Sequence, residues 1–367
     1  MAIVKPRTLS GFMELLPKEQ LKFNKMKDAI RKTYEDFGFL PLDTPVLEAS
    51  EVWLAKAGGE TEKQIYTIER GDSKLVMRFD LTVPLAKYVA INYGELNFPF
   101  RRYQIDKVYR GERAQKGRFR EFYQADIDII GDSELNIIND AEIPYIIYKV
   151  FKNIGLKRFI VNINNRKVLN GYFEYLNLSN KSEIMRVIDK SKKIGMDKLK
   201  EELLVIVNDN NIVNKIADFI SIGGTPLEII NKLKELNIDN ETFNKGLEEL
   251  ETVINYSYTF GIDKNVLQVD LTISRGLDYY TGTVYETFLV DYPEIGSICS
   301  GGRYDNLAEY YIDKQLPGVG ISIGLTRLFD QLNDLKLLDE VNINLVDVLI
   351  IPMTKNMEYI ISTYNKL

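Results

Sequence analysis

The stretch that decides the fold is residues 108–131, VYRGERAQKGRFREFYQADIDIIG. Residues 102–110 and 119–130 have the composition of β-strands, and the loop between them carries Gly111 and Gly117. Strand-like runs separated by a glycine-bearing loop are typical of a hairpin. The sequence therefore predicts a long two-stranded hairpin in this region.

The second arm of this hairpin has a polar face. Strand alternation places Gln124, Asp126 and Asp128 on one side and apolar side chains on the other. Gln124 and Asp128 are then roughly 13 Å apart, at about 3.3 Å per residue. Such a face is solvated more often than it is functional, and it has a binding role only if it lines a pocket.

The hairpin is also the most cationic part of the chain. Residues 101–120 carry eight cations against two acids, Asp106 and Glu112, in a chain whose net charge is −6. Arginine binds phosphate through two parallel hydrogen bonds, so we expect this segment to bind a nucleoside triphosphate, a nucleic-acid end, or both. The cations are Arg101, Arg102, Lys107, Arg110, Arg113, Lys116, Arg118 and Arg120.

Before the hairpin, apolar residues at intervals of three or four predict a helix over residues 17–37. The next segment contains Pro41 and Pro45, so an edge strand or an irregular connection is expected. A long helix followed by a proline-bearing edge strand suits a subunit interface. A core helix followed by a loop fits the pattern equally well.

The other segments predict strands that flank a helical block. Residues 75–82 predict a strand with Asp80 and Thr82 on one face of its polar tip. Helical spacing dominates from about 170 to 261, which indicates a separate helical module. This order of elements predicts an antiparallel α+β sheet. The remaining predicted elements are a helix at 134–153, strands at 159–163, 267–273, 283–290, 296–302 and 317–324, and helices from about 304 and 325.

Arg275 extends the alternation of the apolar residues 267–273, so it projects with the core residues unless the strand has already ended. A buried guanidinium needs an anionic partner. Tyr279 and Tyr280 follow between two glycines. They could pack in the core, or they could contact a flat ligand with their rings and hydroxyls.

The C-terminal part contains two further patterns. Residues 318–324 are rich in glycine but lack the features of a P-loop or a dinucleotide-binding loop, and Arg327 follows one turn into a helix. Residues 346–353 predict a buried strand and residues 356–367 the start of a helix. One strand and one helix cannot bury a core, so we expect an α/β module that is truncated or was never present.

Composition excludes several kinds of chemistry. The chain has 367 residues, which suggests two or three domains, with no histidine and one cysteine, Cys299. These counts exclude Ser–His and Cys–His catalytic pairs, imidazole metal ligands, an internal disulfide and a four-cysteine zinc site. The first residues have no apolar signal core, and no run of about 18 apolar residues occurs, so a cytoplasmic protein is expected.

Together these segments resemble one family, the histidyl-tRNA synthetases, which are class II aminoacyl-tRNA synthetases. The first helix with the Pro45 segment is similar to the family's dimer-forming first motif, residues 108–131 to its second and residues 318–329 to its third. SRGLDYYTGTVYE and SGGRYDNL, residues 274–286 and 300–307, resemble its two histidine-specific signatures.

The resemblance implies an α+β fold, with a class II synthetase-type antiparallel sheet flanked by helices. It implies a discontinuous catalytic core at residues 1–168 and 262–336, a helical insertion domain at 169–261, and the start of a truncated anticodon-binding domain at 343–367. With that last domain incomplete, we expect adenylate formation to persist and tRNA charging to weaken. A cytoplasmic homodimer is also implied.

The implied reaction joins L-histidine and ATP, accompanied by Mg²⁺, to give histidyl-adenylate and pyrophosphate, and then passes the histidyl group to the 3′ end of tRNA(His). No structural metal and no membrane partner are implied. The implied catalytic residues are Arg110 at the α-phosphate and Arg275 opposite it. The implied histidine-binding residues are Asp80, Leu81, Thr82, Gln124, Asp128, Tyr279 and Tyr280. The implied ATP-binding residues are Arg110, Glu112, Arg118, Phe122 and Arg327, and those near the tRNA acceptor end are Gln115 and Arg120.

Thr326 departs from the family, which often has Glu there, and this leaves one nucleotide contact open. The alternative function is that of a non-catalytic paralogue, the regulatory subunit of ATP phosphoribosyltransferase in histidine biosynthesis. That paralogue usually has degraded signatures, whereas Arg110, Gln124, Arg275 and the GLDYYTG run are intact here. A tRNA-binding sensor without catalysis is a third alternative, although such domains usually lie within longer chains.

Overall fold

The computed structural model describes most of the chain, namely residues 3–54, 62–113, 115, 117–273, 280–306, 308–338, 346 and 348–366. The α-helices are α1 (Pro17–Asp36), α2 (Ser50–Leu54), α3 (Thr82–Asn92), α4 (Ile138–Asn153), α5 (Arg166–Tyr175), α6 (Lys181–Ile188), α7 (Ser191–Ile194), α8 (Met196–Val207), α9 (Asn210–Ile220), α10 (Pro226–Glu235), α11 (Glu241–Phe260), α12 (Leu325–Asp334) and α13 (Met357–Tyr364). The strands are β1 (Leu40–Pro41), β2 (Leu47–Ala49), β3 (Thr67–Arg70), β4 (Ser73–Met77), β5 (Phe100–Tyr109), β6 (Glu121–Ile130), β7 (Phe159–Asn165), β8 (Leu267–Val269), β9 (Tyr280–Leu289), β10 (Cys299–Tyr304) and β11 (Gly318–Ile323).

Eight of these strands form one sheet in the order β1-β5-β6-β11-β10-β9-β7-β8. Its internal pairs are antiparallel, whereas β1 pairs with β5, and β8 with β7, in parallel. A smaller sheet has the order β2-β4-β3. The predicted antiparallel α+β sheet is confirmed. Pro41 lies on the edge strand β1, as expected for a residue that has no N–H to donate to a neighbouring strand.

The predicted hairpin consists of β5 and β6, and its register places Arg102 opposite Asp128. On one face of β6, Ala125, Ile127 and Ile129 are completely buried in the hydrophobic core. The polar residues of β6 therefore lie on the other face, as the alternation predicted. That face carries the site described below.

Helices cover the apolar face of the sheet. The predicted first helix is α1, and its buried stripe consists of Phe23, Met26, Ile30 and Tyr34. The Tyr34 hydroxyl donates to the carbonyl of Ala125 at 3.1 Å, so α1 lies directly against β6. Residues of α4, α5, α11 and α12 belong to the same contiguous core. The helical texture predicted from about 170 to 261 corresponds to α5–α11, and residues of these helices share this core.

The predicted strand over residues 75–82 is wrong at its C-terminal end. β4 ends at Met77, and α3 begins at Thr82. The Asp80 carboxylate accepts hydrogen bonds from the N–H groups of Thr82 and Val83, at 3.0 and 2.9 Å. The first amides of a helix have no partner within the helix, so a nearby carboxylate stabilises this helix start over a longer strand.

The alternation over residues 267–273 likewise does not mark one strand. β8 ends at Val269, and Asp270 forms a turn by accepting hydrogen bonds from the Thr272 amide at 3.0 Å and the Thr272 hydroxyl at 2.6 Å. The parity argument for Arg275 therefore fails, because the strand has ended before it. Arg275 itself lies outside the described residues.

Three other predictions need correction. The helix predicted from residue 134 begins at Ile138, and no helix begins at Tyr304, which ends β10. Residues 346 and 348–353 form no strand, because no described strand lies beside them to pair with their backbone. The helix predicted after them is α13. Among the described helices, none is long and apolar enough to cross a membrane.

Candidate active site

Two neighbouring cavities lie on the polar face of the large sheet. The larger has a volume of about 410 Å³ and the smaller about 140 Å³. They share four lining residues, which are Arg110, Gln124, Ser300 and Ser322. A ligand that occupies both cavities would pass these four side chains, so together the cavities form one composite site.

The larger cavity has a cationic wall. All five residues that the resemblance assigned to ATP line it, namely Arg110, Glu112, Arg118, Phe122 and Arg327. Within the described residues, this wall holds three guanidinium groups, those of Arg110 and Arg118 from the predicted cationic segment and that of Arg327 from α12. Planar guanidinium groups favour phosphate as a ligand.

Arg110 is held in place at the junction of the two cavities. Its Nε donates to the carbonyl of Phe79 at 3.2 Å. Its guanidinium carbon lies 4.4 Å from the ring centre of Phe79 and 5.1 Å from that of Phe122. Stacking between two rings restricts the side chain, so Arg110 is preorganised to bind an anion.

Three other cations of the hairpin form ion pairs with carboxylates of the chain. Arg101 forms an ion pair with Glu142 at 2.8 Å, and Lys107 pairs with Glu121 at 2.8 Å. Arg102 is completely buried and contacts Asp128 at 2.5 Å. Carboxylates of neighbouring elements therefore bind three of the eight cations, and Arg110 and Arg118 are the cations of this segment that line the larger cavity.

The smaller cavity is acidic. Five of the seven residues assigned to histidine line it, namely Asp80, Thr82, Gln124, Asp128 and Tyr280. The structure also adds residues that the sequence argument did not assign a role, chiefly Asp126, Ser300, Tyr304 and Ser322. Gln124, Asp126 and Asp128 are each less than one-tenth exposed. The polar face of β6 is therefore a cavity wall and is not solvated.

Asp128 is oriented through both of its carboxylate oxygens. Arg102 donates to Oδ2 at 2.5 Å, and the Tyr304 hydroxyl donates to Oδ1 at 3.1 Å. Burial raises the pKa of Asp128 to about 6, although Arg102 and the hydrogen bond from Tyr304 oppose this rise. The contact between Arg102 and Asp128 could have been predicted from the strand register, because Arg102 on β5 lies directly opposite Asp128. Tyr304 could have been found from the SGGRYDNL signature.

Gly320 is a glycine of the third motif that β6 approaches closely. It pairs with Asp128 across β6 and β11, and a Cβ at this position would lie 2.2 Å from Asp128 Oδ1. The groups that need the space are the carboxylate of Asp128 and the carbonyl oxygen of Ile127, which would lie 2.5 Å from the same Cβ.

Three of the assigned residues that the structure describes do not line either cavity. Leu81 is completely buried, and its carbonyl accepts from Arg102 at 3.3 Å. Gln115 is exposed, and Arg120 donates through Nε to the carbonyl of Glu112 at 3.0 Å. Arg275 and Tyr279 lie outside the described residues.

Thr326, the departure from the third motif, has a structural contact. It is buried, and its hydroxyl accepts a hydrogen bond from the amide of Tyr123 at 2.8 Å. This bond joins the first turn of α12 to β6. Arg327 keeps its place on the wall of the larger cavity.

A metal site built only from protein side chains is not found among the described residues, since no group of three or more Cys, Asp or Glu could hold an ion.

The sequence comparisons agree with this geometry. A sequence model of the family described as histidyl-tRNA synthetase matches residues 11–328.

The chain belongs to the histidyl-tRNA synthetase family.

A histidine–tRNA ligase from Clostridium tetani is 58% identical over the whole chain, which covers 83% of that relative's length. One from Finegoldia magna is 52% identical and aligns with 96% of the chain, which covers 81% of that relative. These relatives confirm the prediction of an enzyme of the aminoacyl-tRNA synthetase class, a histidine–tRNA ligase.

Solved structures confirm the fold. A histidyl-tRNA synthetase from Nostoc sp. PCC 7120 has a TM-score of 0.92 at 40% identity, over 99% of this chain and 84% of that one. A Bacillus halodurans protein described as an ATP phosphoribosyltransferase regulatory subunit/histidyl-tRNA synthetase has a TM-score of 0.76 at 23% identity, over 89% of this chain and 84% of that one. At that identity the likeness shows only that the fold is shared. Membership of the synthetase family therefore rests on the more similar relatives.

Proposed function

We propose that this chain activates L-histidine with ATP to give histidyl-adenylate and pyrophosphate, and then transfers the histidyl group to the 3′ end of tRNA(His). The observation that carries the proposal is the pairing of two cavities. An acidic cavity that suits a small cationic amino acid adjoins a larger cavity with an arginine-rich wall, and Arg110 lines both.

The smaller cavity would hold the amino acid. Asp80, Thr82 and Gln124 would bind its α-ammonium group, while Asp128 and Tyr280 would bind the imidazole. Asp128 is suited to this role because Arg102 and Tyr304 already fix its carboxylate, so little rotational freedom is lost on binding. A pocket with buried polar groups rejects analogues that leave those groups unpaired, by a factor that can reach roughly 10⁴–10⁵.

The larger cavity would hold the nucleotide. Arg110 would contact the α-phosphate at the junction, and Glu112, Arg118, Phe122 and Arg327 would contact the rest of ATP. The carboxylate of histidine would attack the α-phosphorus, pyrophosphate would leave, and Arg110 would stabilise the charge that develops there. The attacking carboxylate is already ionised at neutral pH, so no general base is needed. The absence of histidine from the chain is therefore compatible with the reaction.

Two expected participants enter only as proposals. Arg275, assigned opposite Arg110, lies outside the described residues and keeps its role as a prediction from the sequence. Mg²⁺ would accompany the triphosphate and neutralise part of its charge. The phosphate oxygens of ATP would supply ligands to that ion.

The larger assembly is also proposed. Gln115 and Arg120 would lie near the tRNA acceptor end, and residues 169–261 would act as the family's helical insertion domain. The boundaries of the core at 1–168 and 262–336, and the start of an anticodon-binding module at 343–367, remain predictions. A cytoplasmic homodimer formed through α1 and β1 is expected, and sedimentation of the purified chain tests the dimer.

Pyrophosphate exchange with histidine and ATP tests the activity. We expect exchange that depends on histidine, and a loss of about a hundredfold or more in Arg110→Ala, because one preorganised electrostatic contact is removed from the transition state. Arg275→Ala should nearly abolish exchange. Arg186→Ala is the matched control, since Arg186 is exposed on α6 and lines neither cavity.

The same assay decides between the enzyme and its paralogue. A regulatory subunit of ATP phosphoribosyltransferase would give no exchange, and it would give none in any variant. Wild-type turnover in both Arg110→Ala and Arg275→Ala would refute the arginine roles while leaving the family assignment intact.

A further inference from the structure

Asp126 and Ser322 are two residues of the smaller cavity to which the proposed mechanism gives no role. They pair directly across β6 and β11. Side chains of directly paired residues lie on the same face of a sheet, about 4.5–5.5 Å apart at Cβ, and the diagonal neighbour is also within reach. Gln124 is that diagonal neighbour on β6. The three side chains therefore form one cluster on the cavity wall.

Hydrogen bonds connect the three residues in a fixed direction. Gln124 donates through Nε2 to Ser322 Oγ at 2.6 Å. Ser322 lies directly opposite Asp126 in the strand register, so its hydroxyl is within reach of the Asp126 carboxylate, and this interaction lowers the pKa of Asp126. An ionised carboxylate can only accept, so the serine proton goes to Asp126 and the serine lone pair is left for the Gln124 amide. The NH₂ group of Gln124 is thereby held towards Ser322.

Two oxygen atoms of the cluster have no hydrogen-bond partner among the residues that the structure describes. They are Gln124 Oε1 and Asp126 Oδ1, and both are buried in residues that line the smaller cavity. A buried acceptor without a donor destabilises the folded state by roughly 1–3 kcal/mol. A ligand that brings N–H donors removes this cost, and a ligand that brings acceptors increases it.

The charge of the cluster indicates the kind of donor. Burial raises the pKa of Asp126 to about 7, although the charge of Arg102 and the hydrogen bond with Ser322 oppose the rise. Arg102 is itself bonded to Asp128. A cation placed against Asp126 would therefore stabilise its ionised form. An ammonium group supplies both the positive charge and up to three N–H donors.

We propose that Asp126 and Ser322 are positioning residues that orient the Gln124 amide, so that its carbonyl oxygen and not its NH₂ group faces the α-ammonium of the amino acid. This inference rests on the proposed function, since it assumes that Gln124 binds the α-amino group. In this arrangement a carboxylate acts through a hydroxyl to set the direction of an amide. The pocket thereby selects an amine at the α position and disfavours a ligand without it.

Ser322→Ala in the full chain tests the proposal by pyrophosphate exchange. Removal of the hydroxyl leaves the Gln124 NH₂ group without its acceptor, so the amide is free to turn. We expect the KM for histidine to rise roughly tenfold, because one oriented hydrogen bond of about 1.4 kcal/mol is lost. The KM for ATP and the kcat should each change less than twofold.

A ligand that lacks only the amino group separates positioning from a general structural effect. Imidazole-4-propionate keeps the ring and the carboxylate of histidine, and its inhibition constant against exchange should stay within twofold of wild type in Ser322→Ala. The ratio of the histidine KM to this inhibition constant is measured within each variant. Partial unfolding does not alter that ratio, because it does not change the affinity of the folded fraction.

Two further variants complete the design. Asp126→Asn removes the charge but keeps the shape, and it should also raise the histidine KM relative to the inhibition constant. The double variant with Ser322→Ala should raise the histidine KM, relative to the inhibition constant, by less than the product of the two single-variant increases. Both substitutions act through Gln124. Ser191→Ala is the control. Ser191 is a buried serine of α7 outside both cavities, and its substitution should change no kinetic constant more than twofold.

The outcomes are distinct. An unchanged histidine KM in Ser322→Ala, or an equal loss for histidine and imidazole-4-propionate, would overturn the positioning role. Absence of exchange in the wild-type chain would refute the proposed function itself.

Discussion

At the scale of single residues, the smaller cavity depends on the absence of a side chain. Gly320 lies directly opposite Asp128, and any Cβ there would overlap the carboxylate at 2.2 Å. Asp128 cannot move aside easily, because Arg102 and Tyr304 hold both of its oxygens. A glycine at this position is therefore required both by the site and by the strand pairing, since the carbonyl oxygen of Ile127 on β6 would lie 2.5 Å from the same Cβ.

Gly320→Ala should consequently damage both histidine recognition and stability, because the added Cβ meets the Asp128 carboxylate and the carbonyl oxygen of Ile127. We expect kcat/KM for histidine in pyrophosphate exchange to fall about a hundredfold or more, because the displaced carboxylate loses its hydrogen bonds. Gly94→Ala is the matched control, since nothing lies within 4 Å of a Cβ at that position. A kcat/KM within threefold of wild type in Gly320→Ala would show that Asp128 tolerates displacement.

Asp126 should make stability depend on pH. Its pKa in the folded chain is about 7, above the value of about 3.9 in an unfolded chain, so the folded state keeps a proton that the unfolded state loses between these pH values. The contribution of Asp126 to the free energy of unfolding is therefore lowest above pH 7 and rises as the pH falls towards 4.

Asp126→Asn removes this pH-dependent cost. In the absence of substrates we expect the variant to be more stable than wild type by roughly 1–3 kcal/mol at pH 8, with a smaller gain at pH 5. Urea unfolding at the two pH values measures the difference. A gain that is the same at both pH values, or larger at pH 5, would contradict the assigned shift.

At the scale of elements, α1 supports the sheet directly behind the site. Its stripe packs on the apolar face of β6, and Tyr34 donates to the carbonyl of Ala125, which lies between Gln124 and Asp126 in the chain. The helix therefore holds the strand that carries the polar wall. Loss of packing in α1 should affect the stability of the fold more than the reaction at the site.

Ile30→Ala tests this support. Ile30 is completely buried, so we expect a loss of about 2–5 kcal/mol in the free energy of unfolding. Ile91→Ala serves as the control, because Ile91 on α3 is 73% exposed and its truncation should cost less than about 0.5 kcal/mol. Equal effects of the two substitutions would show that α1 does not pack as described.

The elements also show what the sequence could predict. The polar face of β6 and the buried stripe of α1 could be predicted from the sequence, because each depends only on the periodicity of one element. Asp80 and Asp270 were misplaced in strands, since their side chains bond to backbone amides and form turns that periodicity cannot detect. The bond between Arg102 and Asp128 was missed because it depends on the register of two strands.

At the scale of the whole molecule, one buried ion pair joins the sheet to its helical cover. Arg303 on β10 contacts Asp140 in the first turn of α4, with Nε 2.9 Å from Oδ1. Both residues are buried, and Asp140 is completely inaccessible. A charge left here without its partner would have no access to water.

Asp140→Ala should therefore lower the free energy of unfolding by about 3–5 kcal/mol, because it leaves the Arg303 guanidinium buried and unpaired. Asp291→Ala is the control. Its partner Arg158 is 66% exposed, and the pair should contribute no more than about 1 kcal/mol. Chemical denaturation of both variants measures the difference, and a loss below 1 kcal/mol in Asp140→Ala would mean that water reaches the pair.

The hydrogen bond from Gln124 to Ser322 joins residues that are 198 positions apart. β6 therefore receives its neighbour β11 only after nearly the whole core has been synthesised. A nascent chain on the ribosome that ends before Ile323 lacks one wall of both cavities, whatever its degree of folding. Substrates can stabilise this protein only late in its synthesis, and earlier intermediates must persist without their help.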